Sequence, residues 1–390
     1  MNNMMEPKIR FKGFEGEWRN LSITEIASLK AGKSFNKHDA IDKPTVGYYP
    51  CYGGNGQRGY LPYYNQEGKY NIIGRQGALC GCINVAEGKF YATEHAVIVP
   101  PINVSDFEFL HESLIRANIN QYATGAAQPG ISVTNVNSQL TLNYPIYEEQ
   151  KAIGKYFTSL DSQISASTSR LTSLKQMKAA SLQAMFPQEG ETVPKIRFKG
   201  FEGEWKKVKL SEILTERHEN STITDSLPQL SFTIADGVIR PEDRKSNKRD
   251  FLIKDIDNKR YLVTKVGDII YNPANVVYGA IHRNSLMNGV VSPIYKIFTT
   301  MQDSNFIECA VRRPSFITKL AMCTEGTVTK LKTLKPEAFL NMEVCITPSL
   351  EEQKLIGNYF TSLDRQISLQ SQRLEKLKQI KSACLDKMFV

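Results

Sequence analysis

What this chain of 390 residues lacks narrows its role first. No run of eighteen apolar residues occurs, which argues against a membrane-spanning helix. The opening MNNMMEPKIRF has no basic region followed by an apolar core, so it does not read as a secretory signal. Cysteine is sparse, and seven residues without framework spacing suit reduced thiols and a cytoplasmic location. Cys80 and Cys82 form a lone C-x-C with no second pair, too little for a metal site. His38, His95, His111, His218 and His282 form no ligand-spaced cluster, and no nucleophile, base and orienting acid stand out together. The expectation is a chain that does no chemistry and holds no metal. Charge of neither sign dominates: 49 Lys and Arg against 40 Asp and Glu leave +9, which permits a polyanionic partner without requiring one.

What the chain has is repetition. Residues 148–186 begin EEQKAIGKYFTSLDSQIS, and residues 351–389 begin EEQKLIGNYFTSLDRQIS. Ile153, Phe157, Leu160, Ile164, Leu171 and Leu174 step by fours and threes with one double step, and Ile356, Phe360, Leu363, Ile367, Leu374 and Leu377 repeat the pattern. That is a heptad seam on a helix about 55 Å long, with no proline to break it. One seam cannot bury itself, so the two helices are expected to pair with each other rather than each packing only under its own domain. The first helix leads from the first half to the second, and the second has no further domain to reach. The pair is therefore expected to be antiparallel, with both termini near the first domain. Ser167 and Gln370 take seam positions where apolar residues are expected, and such positions can set register.

A second repeat precedes each half. Residues 7–18, PKIRFKGFEGEW, return unchanged as residues 194–205. Phe11, Phe14 and Trp18, with Phe198, Phe201 and Trp205, are expected to anchor these segments, while Lys8, Arg10 and Lys12 read as solvated. The plan is boundary, variable domain, helix, twice over. The division is 1–147 for the first domain, 148–186 for the first helix, 187–350 for the second domain and 351–390 for the second helix. Both variable segments mix strands and helices, giving an α+β chain with a pseudo-twofold internal repeat. Expected strands cover 70–73, 96–99, 268–271 and 290–298, and expected helices 107–119 and 315–322. The polar loops 125–130 and 325–330 close the two domains, and 187–193 reads as a linker.

Three short patterns invite chemistry that their context opposes. Gly54, Gly56 and Gly59 satisfy G-x-G-x-x-G but run from Tyr48-Tyr49-Pro50 into Tyr60-Leu61-Pro62 with no following helix, so they read as a turn. Tyrosines beside such a turn could stack on exposed bases. Asn272-Pro273-Ala274-Asn275 resembles the start of an amino-methyltransferase motif but lacks its second proline and aromatic, so it reads as a polar loop after a strand. Glu67-Gly68-Lys69 and Glu87-Gly88-Lys89 show the end of a metal-nuclease motif without its Pro-Asp half and read as turns.

The duplicated boundary, the two unlike domains and the two copies of Glu-Glu-Gln-Lys-x-Ile-Gly-x-Tyr-Phe-Thr-Ser-Leu-Asp resemble the specificity subunit of type I restriction-modification systems over nearly the whole chain. IIGRQGALCG with YATEHAVIV, and GDIIYNPANVVYGAI with GVVSPIYKIF, look like that family's target recognition domains. The resemblance implies two mixed α/β recognition domains held apart by an antiparallel coiled coil of two long helices. It implies a non-catalytic subunit that reads a two-part site in double-stranded DNA, one half per domain, with the coiled coil setting the spacer. Implied partners are two methyltransferase subunits, which use S-adenosylmethionine, and two motor and nuclease subunits, which use ATP and Mg. No cofactor is implied on this chain. Loop residues expected to touch bases or phosphate are Arg75, Gln76 and Gln128 in the first domain, and Asn272, Asn275, Lys330 and Lys332 in the second. Arg75→Ala is expected to weaken reading of the first half-site alone. The identical dodecamers would also let recombination exchange recognition domains. The competing readings are a fused methyltransferase-nuclease and a coiled-coil scaffold with no role at DNA.

Overall fold

In a computed structural model the described residues are 6–77, 79–102, 104–125, 129–244, 260–324 and 333–390. They form two compact units, Met1–Ser169 with Gln372–Val390, and Arg170–Ser371. No helix among them is long and apolar enough to cross a membrane.

In the first unit, strands β1 (Arg19–Ser22), β2 (Lys30–Ala31), β3 (Tyr49–Gly53), β4 (Gly56–Leu61), β5 (Gln66–Gly74), β6 (Ile83–Ala92), β7 (Ala96–Val99) and β8 (Thr141–Tyr144) form two sheets. The larger has the order β2-β7-β5-β6-β3-β4, antiparallel except where β3 meets β6. The smaller is the antiparallel pair β1 and β8, which brings the start and end of the domain together. Helix α1 (Phe107–Arg116) begins where the Asp106 carboxylate accepts from the Phe109 N–H at 3.0 Å, a side-chain cap on an otherwise orphan donor. It ends by Asn118, which is left-handed at φ 47°, three residues short of where its apolar spacing alone would carry it.

The first long helix, α2 (Tyr147–Ala184), starts just past Pro145, with Glu148 and Glu149 in its first turn, where carboxylates suit the helix dipole. Its counterpart α4 (Leu350–Met388) starts past Pro348 with Glu351 and Glu352. Within the first unit the Tyr156 hydroxyl lies 3.4 Å from the Cys384 thiol, and the Lys381 ammonium lies 2.8 and 2.7 Å from the Asp161 carboxylate. Advancing along α2 thus retreats along α4, so the helices are antiparallel. In the second unit the Ser181 and Tyr359 hydroxyls meet at 2.9 Å and Lys178 meets Asp364, again antiparallel. Seam residues do more than pair helices. Ile153, Phe157 and Leu160 are buried in the first core beside Trp18, Phe109, Leu142 and Phe389, and Ile356, Phe360 and Leu363 in the second beside Trp205, Phe306 and Phe186. Packing under the helix's own domain therefore coexists with pairing. Leu174 and Leu374 are buried, whereas Ile164, Leu171, Ile367 and Leu377 are half-buried.

The second unit divides its strands differently. A four-stranded sheet runs Leu214–Glu216, Lys296–Thr300, Ile269–Tyr271, Ile281–Arg283, and a three-stranded one Asn220–Ser221, Tyr261–Thr264, Gly289–Val291. The pair Lys206–Lys209 and Glu343–Ile346 closes this domain as β1 and β8 close the first. Helix α3 (Ser304–Val311) is capped by Asp303 as α1 is by Asp106, and Pro314–Met322 forms the helix expected near 315–322.

Two expectations are corrected. The segment 290–298 is not one strand: it breaks between Gly289–Val291 and Lys296–Thr300, because Pro293 has no N–H for a ladder and Tyr295 N–H turns back to Ser292. The two Glu-Gly-Lys triplets are not turns but stretches of β5 and β6 lying opposite each other. Glu67 faces Lys89, Gly68 faces Gly88 and Lys69 faces Glu87, so opposite charges pair across the strands.

Candidate nucleic-acid interface

The glycine pattern at Gly54, Gly56 and Gly59 forms a tight hairpin between β3 and β4. A Cβ on Gly54 would stand 2.8 Å from the Gln76 carbonyl oxygen, and one on Gly74 2.0 Å from that of Gly54, so these glycines let backbones touch rather than cradle a phosphate. The connections around this hairpin are tied to one another by main-chain bonds. Arg75 N–H donates to His95 at 2.9 Å, Ile131 N–H to Arg75 at 2.8 Å, and Gly77 N–H to Pro129 at 3.3 Å. Thr93 N–H donates to Tyr52 at 2.9 Å, and Gln76 pairs with Gly130 in a short bridge. The thiols serve the same packing: Cys80 Sγ donates to the Arg75 carbonyl and Cys82 Sγ to that of Gly54, each at 3.3 Å. Among the described residues no three metal-capable side chains gather.

On this platform the expected contact residues part company. Arg75 turns inward: its Nε donates to the Ile131 carbonyl at 3.1 Å and its Nη1 to the Glu94 carbonyl at 3.3 Å. It braces two loops. Gln76 is exposed beside the hairpin, at the edge of a recess of about 310 Å³. Gln128 lies outside the described residues, as do Lys330 and Lys332.

In the second unit Asn272 follows the strand Ile269–Tyr271, and its side-chain oxygen accepts from Ala274 N–H at 3.0 Å, a local turn that occupies one polar atom. Asn275 opens a single turn of 3-10 helix, Val276–Tyr278, without a side-chain cap bond, and stays half-exposed. Tyr278, 70% exposed on the same turn, was not singled out by sequence reading, though an exposed aromatic face next to a polar loop is a signal for base stacking. The amino-methyltransferase likeness ends in this loop, whose Pro273 carbonyl accepts from Leu334 N–H at 3.1 Å.

The repeated motifs are explained by the frame beneath these loops. Gln150 accepts from Asp106 N–H at 2.9 Å and donates to the Pro145 carbonyl at 3.0 Å. Gln353 accepts from Asp303 N–H at 3.0 Å and donates to the Thr347 carbonyl at 2.9 Å. Phe11 meets Tyr156 edge-on at 5.8 Å between centroids, as Phe198 meets Tyr359 at 6.4 Å, while Phe14 and Phe201 are only half-buried. Sequence reading named the phenylalanines as anchors and saw Gln150 and Gln353 only as part of the repeated Glu-Glu-Gln-Lys motif, without the polar network.

With this geometry in place, similarity to known proteins is informative. The family described as type I restriction modification DNA specificity domain matches residues 15–176 and 202–379, one match in each half. The specificity subunit of the type I restriction enzyme EcoprrI of Escherichia coli is 35% identical over 180 residues, which span 46% of this chain and 44% of that protein. In fold, the crystal structure of the S subunit of a type I restriction-modification system from M. genitalium matches with a TM-score of 0.71 and 15% identity, covering 99% of both chains. Matched in both halves, the chain belongs to the type I restriction-modification DNA specificity family.

Proposed function

We propose that this chain reads a two-part, asymmetric site in double-stranded DNA, one half with each mixed α/β domain, and that the two long helices set the spacer between the halves. The observation that carries this reading is one frame used twice around unlike domains. The Arg10 guanidinium bonds the Glu149 carboxylate as Arg197 bonds Glu352, and the Gln150 and Gln353 bonds and the aromatic cores also correspond pair by pair, while the sheets they carry differ in strand number and order. Unlike domains on like supports should read unlike half-sites. The reading extends to partners: two methyltransferase subunits carrying S-adenosylmethionine, which take an adenine out of the stack in each half-site, and two motor and nuclease subunits using ATP and Mg. The identical dodecamers are also sites where recombination could exchange domains without disturbing the frame, and sequencing the locus in many isolates tests that point.

The test is genome-wide mapping of methyladenine in a methylation-free host that expresses this chain with its neighbouring methyltransferase. A split motif with two unlike halves is expected. Assembled subunits that leave the genome unmethylated, or a single uninterrupted motif, would overturn the reading.

A further inference from the structure

Four side chains converge on the recess beside the β3–β4 hairpin. Asn55 stands at the hairpin tip, Arg58 on β4, Gln76 after β5 and His95 before β7, and with Gly54 and Gly77 they line about 310 Å³ of concave surface. Their neighbours Arg75, Cys80, Cys82 and Asn84 all spend side-chain atoms on the protein. Asn55, Arg58 and Gln76 are exposed and make no side-chain hydrogen bond or ion pair with any described residue. His95 Nε2 lies 3.4 Å from a Glu94 oxygen, while its Nδ1 is buried without a hydrogen-bond partner among the described residues. Polar groups left open together on a rigid floor are arranged for something that is not the protein.

We infer that Asn55, Arg58, Gln76 and His95 are the base-reading cluster of the first domain, with Arg75 as the brace that holds their loops and not itself a reader. The inference rests on the DNA-reading role proposed above and assigns it to residues. Three features favour base edges over phosphate. The side chains are two amides, a guanidinium and an imidazole, types that pair with adenine and guanine edges in the major groove, and no lysine lines the recess. The Glu94 carboxylate beside His95 opposes a phosphate but can accept from the amino group of cytosine. The floor is fixed by main-chain bonds from three connections, so these side chains need little ordering to reach a base edge. Arg58 also lies over Gly53, where a Cβ would come within 2.4 Å of its Cδ, so the glycine lets the guanidinium stem lie flat against the hairpin.

The experiment uses the full chain in complex with its methyltransferase partner, and duplexes carrying the motif found by methyladenine mapping. Competitor duplexes have either the first or the second half scrambled. Arg58→Gln and Gln76→Ala replace exposed side chains that bond to no described residue, and Arg58→Lys keeps the charge. For Arg58→Gln and Gln76→Ala the preference for the intact first half over its scrambled form is expected to fall about tenfold or more. Preference at the second half should be unchanged. Arg58→Lys should lose discrimination nearly as fully as Arg58→Gln, because a point charge cannot make the bidentate pair. Unchanged discrimination in the variants overturns the assignment alone. So does a uniform loss on all duplexes with a salt slope reduced by about one, the mark of a phosphate contact. A wild-type complex that discriminates no duplex overturns the proposed function, and this assignment with it.

Discussion

The Arg10 guanidinium holds the Glu149 carboxylate through two hydrogen bonds, from Nε at 2.8 Å and from Nη2 at 2.7 Å, joining the first dodecamer to the first turn of α2. Arg197 and Glu352 repeat the clamp at 2.6 and 2.8 Å. Both carboxylates are buried and both arginines half-buried. Removing one partner of such a pair strands a charge, which costs about 3–5 kcal/mol, whereas replacing both with apolar groups is often close to neutral. Arg10→Met should therefore destabilise the first unit by about that amount, and Arg10→Met with Glu149→Leu should recover most of it. Hydrogen exchange resolved by segment reads this directly. Equal loss of protection in both variants would refute the stranded charge as the cause.

Gly154 sits inside α2, where alanine would ordinarily add about 1 kcal/mol of helix stability. Its position forbids that gain. A Cβ there would lie 2.7 Å from Asp106 Oδ1, 2.9 Å from Glu108 Cβ and 3.0 Å from the Phe109 nitrogen, all at the start of α1. At Gly357 the same atom would meet Asp303 Oδ1 at 2.5 Å and the Phe306 nitrogen at 3.0 Å. Overpacking of this kind costs about 1–3 kcal/mol. Gly154→Ala and Gly357→Ala should each lower stability, the first in residues 6–169 and the second in 170–371. A rise in thermal midpoint for either would mean that the capped helix yields freely.

These contacts mark how far the sequence could be read. The twofold plan was legible because twelve residues and a helix recur, and the strands 70–73 and 96–99 because Ile72 with Ile73, and the unbroken run Ala96–Val99, mark segments now buried within β5 and β7. The clamp was not legible, since an arginine in a boundary segment reads as solvated until the fold brings a carboxylate 139 residues away to meet it. Gly154 and Gln150 were hidden inside the repeated helix motif for the same reason. The recess beside the β3–β4 hairpin was half legible: Gln76 was named with Arg75, but which of two adjacent polar residues faces outward depends on where the Ile131 and Glu94 carbonyls fall. Arg58 and His95 offered no local signal, because they join only when β4 and the turn before β7 close on one recess.

The first unit carries a half-buried histidine whose titration should be measurable. His111 Nδ1 lies 2.6 Å from the side-chain oxygen of buried Asn71, so the neutral ring donates from Nδ1. Burial, then the nearby Lys381 ammonium, lowers its pKa below 6.5, with Lys69 adding to this and Glu108 and Asp161 opposing. A lowered folded pKa means the unfolded chain binds the proton more readily. Stability from His111 is thus present above pH 6.5 and lost as pH falls through the lower, folded value. Glu112 works the other way: burial, outweighing the Lys381 bond, raises its carboxyl, so its contribution is fullest below 4.5 and fades as pH rises through the raised value. Between about pH 7 and 5.5 wild type should lose stability relative to His111→Gln, by at most about 1.4 kcal/mol per pH unit for one proton. Parallel thermal midpoints for the two proteins across that range would show that the ring is not coupled to folding.

Each core is completed by a phenylalanine just past the far end of a long helix. Phe389 stacks on Phe109 at 5.2 Å and meets Trp18 edge-on at 6.1 Å, and Phe186 stacks on Phe306 at 5.2 Å and meets Trp205 edge-on at 5.6 Å. Both are buried, and a buried phenylalanine cut to alanine costs about 3–5 kcal/mol when the site cannot collapse. Collapse is hindered here because Phe109 and Phe306 are fixed by the Asp106 and Asp303 caps and the long helices by the arginine clamps. Phe389→Ala should then loosen residues 6–169 and leave 170–371 protected, and Phe186→Ala should do the reverse. The crossed pattern matters because Phe186 belongs in chain order to the first half and Phe389 to the second. Segment-resolved hydrogen exchange that found Phe186→Ala loosening the first unit would show that each helix end serves the domain it follows, and would remove the pairwise correspondence on which the shared frame rests.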